Sequence, residues 1–305
     1  NFSDHALDVN GDGYPDVVSV AWNERRIAWW RNPGAPSRDR KGADSDWLMQ
    51  IIETGSPVEF SFLVDLDNDG KAQELLPQFG NVKFPLSWYE VRNGAWVKHQ
   101  VSDRSFGHGI GAGDVNGDRR ADIVTPKGWL ESPPDPRSGS WTFHEFPDLV
   151  STSFIHVLDL NGDGRADLLT GLAHNYGLFW MEQNRDGSWT KRHIDEAWSQ
   201  PHAITLVDLT GDGRPEIVTG KRLYAHNGRD PGEREPLGIY WYELVQNGPR
   251  QDWIRHIIDY GGPTGGGMQI PVLDLDGDGD LDVVVAGKSG LYLFESLRAP
   301  KKKTP

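Results

Sequence analysis

The 305-residue chain has no cysteine, only three methionines, and no apolar run approaching the ~18 residues of a membrane-spanning helix. The first absence excludes disulfides, thiolate metal sites and a cysteine nucleophile, while leaving an oxidising compartment open. Bases are also scarce: 31 lysines and arginines face 45 acids, a formal charge of −14. Nucleic-acid binding depends on a basic stripe that neutralises phosphates, so this balance argues against such a partner. No segment carries a convincing helical apolar period, which removes helices as the main building element. No secretion signal is visible at Asn1.

What the chain has instead is 36 glycines and 13 tryptophans, so it turns often and packs on aromatic plates. It also repeats. Six segments share oxygen-bearing side chains at positions one, three, five and nine, with glycine near position six. Asp8, Asn10, Asp12 and Asp16 form the first copy, and Asp65, Asp67 and Asp69 the second. Asp114, Asn116, Asp118 and Asp122 follow, then Asp159, Asn161, Asp163 and Asp167. The last two copies present Asp208, Thr210, Asp212 and Glu216, and Asp274, Asp276, Asp278 and Asp282. Their starts lie 57, 49, 45, 49 and 66 residues apart, a period that means a solenoid, an array or a propeller.

Oxygens at this spacing wrap a hard cation in a tight loop, and calcium prefers about six to eight of them. An EF-hand needs glutamate at its twelfth position, where this chain has Ser19, Thr170 or Val285, so that reading fails. One Asp-Gly turn would mean little; six in register are a calcium-loop series. Nineteen of the 45 acids lie in these loops, and six divalent ions would bring the formal charge from −14 to about −2.

The flanks give the secondary structure. A short apolar stretch precedes each loop, as in Ile204-Thr-Leu-Val207, and a β-branched run such as Val283-Val-Val285 follows it. An aromatic strand comes next, for example Tyr240-Trp-Tyr242, and then a strand opened by Trp47, Trp96, Trp141, Trp189 or Trp253. Four short strands per repeat predict an all-β propeller of four-stranded blades, with the calcium loop between strands one and two. Six blades are visible, starting near residues 1, 58, 107, 152, 201 and 267, in a single domain over 1–297. The basic tail 298–305 reads as a solvated end. The Trp-opened strand appears five times rather than six, and Asn1–Leu7 supplies only an inner strand. This leads us to expect residues upstream of Asn1, compatible with seven blades in a parent protein.

On these residues the chain resembles the FG-GAP (VCBS) repeats of integrin α-subunit propellers and many secreted bacterial proteins, over nearly its whole length. Three copies depart from the pattern. Gln73 replaces the ninth-position acid with Glu74 beside it, Arg119 replaces a loop glycine, and Thr210 shortens a ligand. Those three loops are expected to bind calcium more weakly.

The residues that do not repeat carry the particular chemistry. His99, His144, His193 and His256 follow the outer-strand tryptophans and recur with the blade, so they read as scaffold. His5, His108, His156, His174, His202 and His226 do not recur. All six fall in inner strands or in loops expected on the face opposite the calcium loops, where propellers tend to carry function. Copies four and five add Lys221, Arg222, Tyr176 and Tyr224, and copy five alone has the insertion Pro231-Gly-Glu-Arg-Glu-Pro236. Histidine, lysine, arginine and tyrosine converging there point to proton transfer or to a transition-metal site holding an ion such as zinc.

Phe106–Asp114, Lys221–Asp230 and Gly265–Gln269 are similar to the propeller domain of aldos-2-ulose dehydratase, although no cupin domain accompanies them. That resemblance implies proton abstraction beside a sugar carbonyl and loss of a β-hydroxyl or alkoxy group. His156, His174, His202 and His226 would then be base or metal ligands, Lys221 or Arg222 would stabilise the enolate, and His108, Tyr176, Tyr224 and Gln269 would bind substrate. A carbohydrate- or protein-binding propeller without catalysis is the competing reading, since Tyr176 and Tyr224 could stack on a sugar ring equally well. A purely structural adhesion domain is a third; it accounts for the calcium but not for the histidines. Calcium loops of this kind suit the roughly 10⁻⁴–10⁻³ M calcium outside cells, so an extracellular or periplasmic location is expected.

If calcium holds the loops together, its removal exposes like charges to one another. EGTA should therefore lower the melting temperature; an unchanged melting curve would overturn the calcium reading.

Overall fold

The computed structural model describes residues 2–34, 46–147, 149–247 and 250–297. The basic tail 298–305 and Asn1 lie outside the described residues. The fold is a β-propeller of six antiparallel blades, and among the described residues the one 3-10 turn is at Ala225–Asn227. Among the described residues no helix is long and apolar enough to cross a membrane.

Each blade is a meander in which consecutive strands pair. Blade one comprises Ser3–Leu7, Asp16–Ala21, Arg26–Arg31 and Leu48–Thr54. Blade two comprises Val58–Val64, Glu74–Phe79, Leu86–Arg92 and Ala95–Ser102. Blade three is built from Gly111–Gly113, Asp122–Thr125, Gly128–Glu131 and Thr142–Glu145. In blade four the strands are His156–Leu158, Asp167–Gly171, Tyr176–Gln183 and Trp189–Ser199. Blade five runs Pro201–Val207, Glu216–Lys221, Gly238–Asn247 and Arg250–Tyr260. Blade six shows three strands among the described residues, Val272–Leu273, Asp282–Gly287 and Gly290–Phe294.

The chain divides into two compact units. The first contains Asn1–Ser151, Ile155–Asp159 and Gly164–Asp167; the second contains Thr152–Phe154, Leu160–Asp163 and Leu168–Pro305. In the first unit Val18, Val20, Ile27, Leu75 and Phe79 form a buried cluster. In the second, Ala203, Val218, Ile239, Ile270, Val283 and Val285 do the same. Of these, Val18, Val20, Leu75, Phe79, Val218, Val283 and Val285 lie on the second strands that follow the Asp-rich loops. Fully burying such a side chain contributes roughly 1.5–3 kcal/mol, so the core is assembled from many equal increments.

The third and fourth strands are joined by a module that follows from the two-residue period of a strand. In Trp88-Tyr89-Glu90 the outer two residues share a face. His99 of the fourth strand pairs with Trp88 in register, stacks on it at 4.2 Å, and places Nε2 2.7 Å from Glu90. Tyr89 faces the other way and donates to Glu53 of blade one at 2.9 Å. Blade five repeats the pattern: His256 stacks on Trp241 at 3.7 Å beside Glu243, and Tyr242 donates to Asp195 of blade four at 2.8 Å. Blade three uses Trp129, His144 and Glu131.

Blade four differs for a reason visible in its spacing. Histidine follows the strand-opening tryptophan by four residues in Trp189–His193 and by three elsewhere. Arg192 therefore lands opposite Trp180, and its guanidinium takes Glu182 at 2.7 Å. His193 pairs with Glu196 instead.

His5, in the first strand of blade one, contacts Ser61 Oγ of blade two at 2.8 Å through Nε2. Burial holds its pKa down at about 4, against the opposing influence of Asp4 and Ser61. Between the ordinary histidine range and that value the unfolded chain binds a proton that the folded chain does not. Stability is thus complete above about pH 6.5 and is lost as pH falls toward 4, by on the order of 3 kcal/mol. Urea melts between about pH 7 and pH 4 should show a smaller loss in His5→Gln than in the wild type. Parallel losses in both proteins would show that His5 is not responsible.

Candidate functional site

The Asp-rich loops are built by their own side chains. In blade one Asp8 accepts from the backbone amides of Gly11, Asp12 and Gly13 at 2.8–3.1 Å. Asn10 accepts from Asp12 N and Asp12 accepts from Tyr14 N, at 2.9 and 3.0 Å. The same turns recur around Asp114, Asp208 and Asp274, and Asp65 and Asp159 accept in the same manner. Arg119 keeps this geometry at φ 70° without glycine's freedom, and its amide donates to Asp114 at 2.7 Å.

The ninth-position acid does different work. Asp16 is fully buried and takes Val9 N on one oxygen and Asn32 N on the other, at 3.0 and 2.6 Å. It thereby fastens the loop to the end of the third strand. Asp122 does so through Val115 N and Ser132 N, and Asp282 through Leu275 N and Ser296 N. Glu216 holds Leu209 N and Thr210 N. In blade two Glu74 receives Leu66 N at 3.0 Å, so the acid beside Gln73 takes over the anchoring. Asp167 is fully buried as well.

These loops fit a hard cation. In blades two, five and six, oxygens of Asp65, Asp67 and Asp69, of Asp208, Asp212 and Glu216, and of Asp274, Asp276 and Asp278 lie within 4.8 Å of one another. Burial, with Asp67 and Asp65 nearby, pushes the Glu74 carboxyl up to about 7. Burial, with Asp118 and Asp114, pushes Asp122 up to about 6. Four loops also carry a base at position seven. Lys71 pairs with Asp69 at 3.4 Å, Arg214 with Asp212 at 2.9 Å, and Arg120 with Asp118, while Arg165 occupies the place in blade four. Loops one and six have Tyr14 and Asp280 there. Loop two has a further cation: Arg137 grips Glu90 through Nε at 2.9 Å and Nη2 at 2.8 Å, and also bonds Asp67.

The second unit gathers the non-repeating polar residues around the blade-five insertion. Asp230 accepts from His226 Nδ1 at 2.9 Å and from His174 Nδ1 at 3.1 Å, and the two rings are 4.5 Å apart. Burial pushes the Asp230 carboxyl up, but the hydrogen bonds and charges of the two histidines outweigh it and leave it below the usual range. His202 is fully buried and meets the His174 ring edge-on at 5.6 Å. The backbone that presents His226 is left-handed at Tyr224 (φ 46°), His226 (φ 47°) and Asn227 (φ 59°). Such conformations cost about 1–2 kcal/mol each for bulky residues and cluster at functional sites.

Other expected residues are placed differently. Lys221 is fully buried and donates to Ser199 Oγ at 2.6 Å rather than facing solvent. Burial lowers its pKa, against Glu235, Glu233 and Asp230. Arg222 contacts Met268 Sδ at 3.7 Å, and Tyr176 donates to Glu235. Tyr224 is 55% exposed, and Gln269 is half-buried. His108 and His156 belong to the first unit, where His108 lies 2.8 Å from Glu59 and His156 packs edge-on against Phe62. Asp230, Glu233 and Glu235 were not singled out from the sequence. The available signal was the His226-x-x-x-Asp230 spacing and the acids within an insertion unique to one blade.

The family model described as FG-GAP-like repeat matches residues 8–75 and 159–219, so these two stretches carry FG-GAP-like repeats. A comparison with curated proteins gives no match. Among solved structures, a triple arginine-to-alanine variant of AofleA from Arthrobotrys oligospora is similar over 92% of this chain and 79% of its own, at 12% identity and a TM-score of 0.50. A protein described as functionally unknown from Desulfotomaculum acetoxidans is similar over 91% of this chain and 78% of its own, at 14% identity and a TM-score of 0.49. The V. cholerae biofilm matrix protein Bap1 covers 93% of this chain with 66% of its own, at 11% identity and a TM-score of 0.42. Identities this low speak to fold alone, and the first of these supports the propeller.

The two kinds of loop acid can be told apart. In calcium-free protein Asp16→Ala strands one buried and one part-buried amide and should cost roughly 2–4 kcal/mol, whereas Asp12→Ala should cost less than about 1 kcal/mol. Denaturant melts in EGTA check this; equal losses would show that the ninth position is no anchor.

Proposed function

We propose that this FG-GAP-repeat propeller is stabilised by calcium in its Asp-rich loops and acts on a carbohydrate at the blade-five insertion, as a sugar dehydratase working by β-elimination. The observation that carries this reading is the grip of Asp230 on His226. The Nδ1 proton is committed to the carboxylate, which leaves Nε2 as the basic nitrogen of a side chain that is 57% exposed. His174 on the other oxygen keeps the carboxylate oriented.

In the proposed reaction His226 Nε2 takes the proton from the carbon next to a sugar carbonyl. The released electron pair forms the carbon–carbon double bond as the β-carbon–oxygen bond breaks. The imidazolium returns its proton to the departing hydroxyl, so one sugar yields an unsaturated sugar and water. Arg222 is the cation assigned to the developing enolate charge, since Lys221 is occupied by Ser199. Tyr224 offers an exposed ring face for stacking.

The same side chains also fit a transition ion such as zinc. Ligand atoms of His174, His226 and Asp230 lie within 4.8 Å of one another. Their nitrogen–oxygen separations of 2.9 and 3.1 Å are those of hydrogen bonds, and a tetrahedral ion with bonds of about 2.0–2.1 Å would replace the two Nδ1 protons and spread these atoms to roughly 3.3–3.4 Å. An ion bound there would polarise the sugar carbonyl. Loops that take calcium at the roughly 10⁻⁴–10⁻³ M of extracellular modules would suit an extracellular or periplasmic setting.

Keto-sugars should give an ultraviolet-absorbing unsaturated product with the wild type. His226→Ala and Asp230→Asn should each reduce turnover at least a hundredfold, about 2.7 kcal/mol in the barrier, with calcium-dependent melting unchanged. Metal analysis after dialysis against calcium with trace zinc, run on both variants, tests the metal site. Sugar binding by the wild type without any product would replace the lyase with a carbohydrate-binding propeller.

A further inference from the structure

The first unit contains a cleft that none of the preceding chemistry uses. It has a volume of about 540 Å³, and its lining includes Val82, Lys83, Arg104, Phe106, Lys127, Phe143 and Glu145. Three loops and the outer strand of blade three build it. Residues 80–85 join the second and third strands of blade two, residues 103–110 lead into blade three, and the Pro126–Lys127 turn joins blade three's second and third strands. The first two are tied together, because Ser105 N donates to Val82 O at 3.2 Å and Ser105 Oγ to Phe84 O at 2.9 Å. The turn lies close against the outer strand: a side chain at Gly128 (φ 152°) would meet the Phe143 ring at 2.8 Å and His144 O at 2.2 Å. The cleft is therefore a consequence of how the blades are finished on this face.

Its chemistry runs against that of the whole molecule. In a chain of net charge −14, three bases and one acid line a single concavity. Crowding like charges raises the local potential and is relieved by an anion. A bare inorganic ion would not account for the apolar floor. Phe106 and Phe143 stack at 5.0 Å and 17°, and the Arg104 guanidinium lies 5.4 Å above Phe106. Phe143 remains 38% exposed and Val82 51% exposed. Aromatic and aliphatic surface beside cationic side chains suits a ring with an apolar face and a carboxylate or sulfate on its edge. The volume lies within the roughly 300–1,000 Å³ of small-molecule sites and would take one or two sugar rings.

We infer that this cleft binds an acidic saccharide, a uronate- or sulfate-bearing sugar, with its ring over Phe143 and its anionic group on Arg104 and Lys83. The site is separate from the histidine group of the second unit and does not rest on the reaction proposed there.

Calorimetric titration with digalacturonate, with its dimethyl ester, and with sodium sulfate, all in saturating calcium, tests the inference. The uronate should bind at least tenfold more tightly than the uncharged ester and than sulfate. Arg104→Gln and Lys83→Gln should each weaken it at least fivefold, Phe143→Ala should do the same, and all three should keep the wild-type melting temperature. The His226→Ala/Asp230→Asn double variant should bind it unchanged, which separates failure here from failure of the lyase reading. No uronate binding, equal binding of the ester or sulfate, or binding indifferent to Arg104 and Lys83 would overturn the inference. So would tighter binding of a nucleoside diphosphate than of the uronate.

Discussion

A buried carboxylate with both oxygens taken by backbone amides is the joint on which blades one, three and six depend. Where Asp16, Asp122 or Asp282 stands, one oxygen holds the start of the Asp-rich loop and the other holds the end of the third strand. An ionised group can be buried at tolerable cost only when its hydrogen-bonding capacity is filled, and here it is filled by donors that would otherwise be orphaned themselves. The loop is thus fixed at both ends before any cation is considered. The exposed side chains at positions one, three and five close the turn itself by accepting its backbone amides.

The second constraint is the alternation of side chains along the third strand. Trp88 and Glu90 address the blade's own fourth strand while Tyr89 addresses Glu53 in the preceding blade, and Trp241, Tyr242 and Glu243 divide the labour identically. One tripeptide thus binds a blade internally and to its neighbour, because a strand has two faces. Four histidines recur after the outer-strand tryptophans, yet His193 does not stack as the other three do. A single extra residue rotates the pattern and brings Arg192 to the tryptophan. Recurrence in sequence is therefore a guide to position, and register decides the contact.

Cations are distributed unevenly over the Asp-rich loops. Four have a base at position seven, and the second also has Arg137, reaching from the loop before blade three's outer strand to Asp67. The protein's own guanidinium there competes for the oxygens that a metal would use, so the six loops are alike in backbone and unlike in charge. A similar divergence marks the two functional candidates. Both arise in segments that join strands, where insertions and charge changes leave the blade core untouched.

The sequence alone determined the repeat, the number of visible blades, the strand order within them and the loop acids. Each of these follows from local rules: a two-residue strand period, glycine and aspartate in turns, and carboxylates spaced to close on themselves. It also marked copies four and five as unlike the others. Only the tertiary structure showed that Asp230 joins His174 to His226, that Lys221 is buried on Ser199, and that Arg104, Lys127 and Phe143 share one cleft. Those groupings bring together residues up to 56 positions apart, as in His174 and Asp230. No spacing rule along a chain encodes them, because they depend on which loops the packed blades bring side by side.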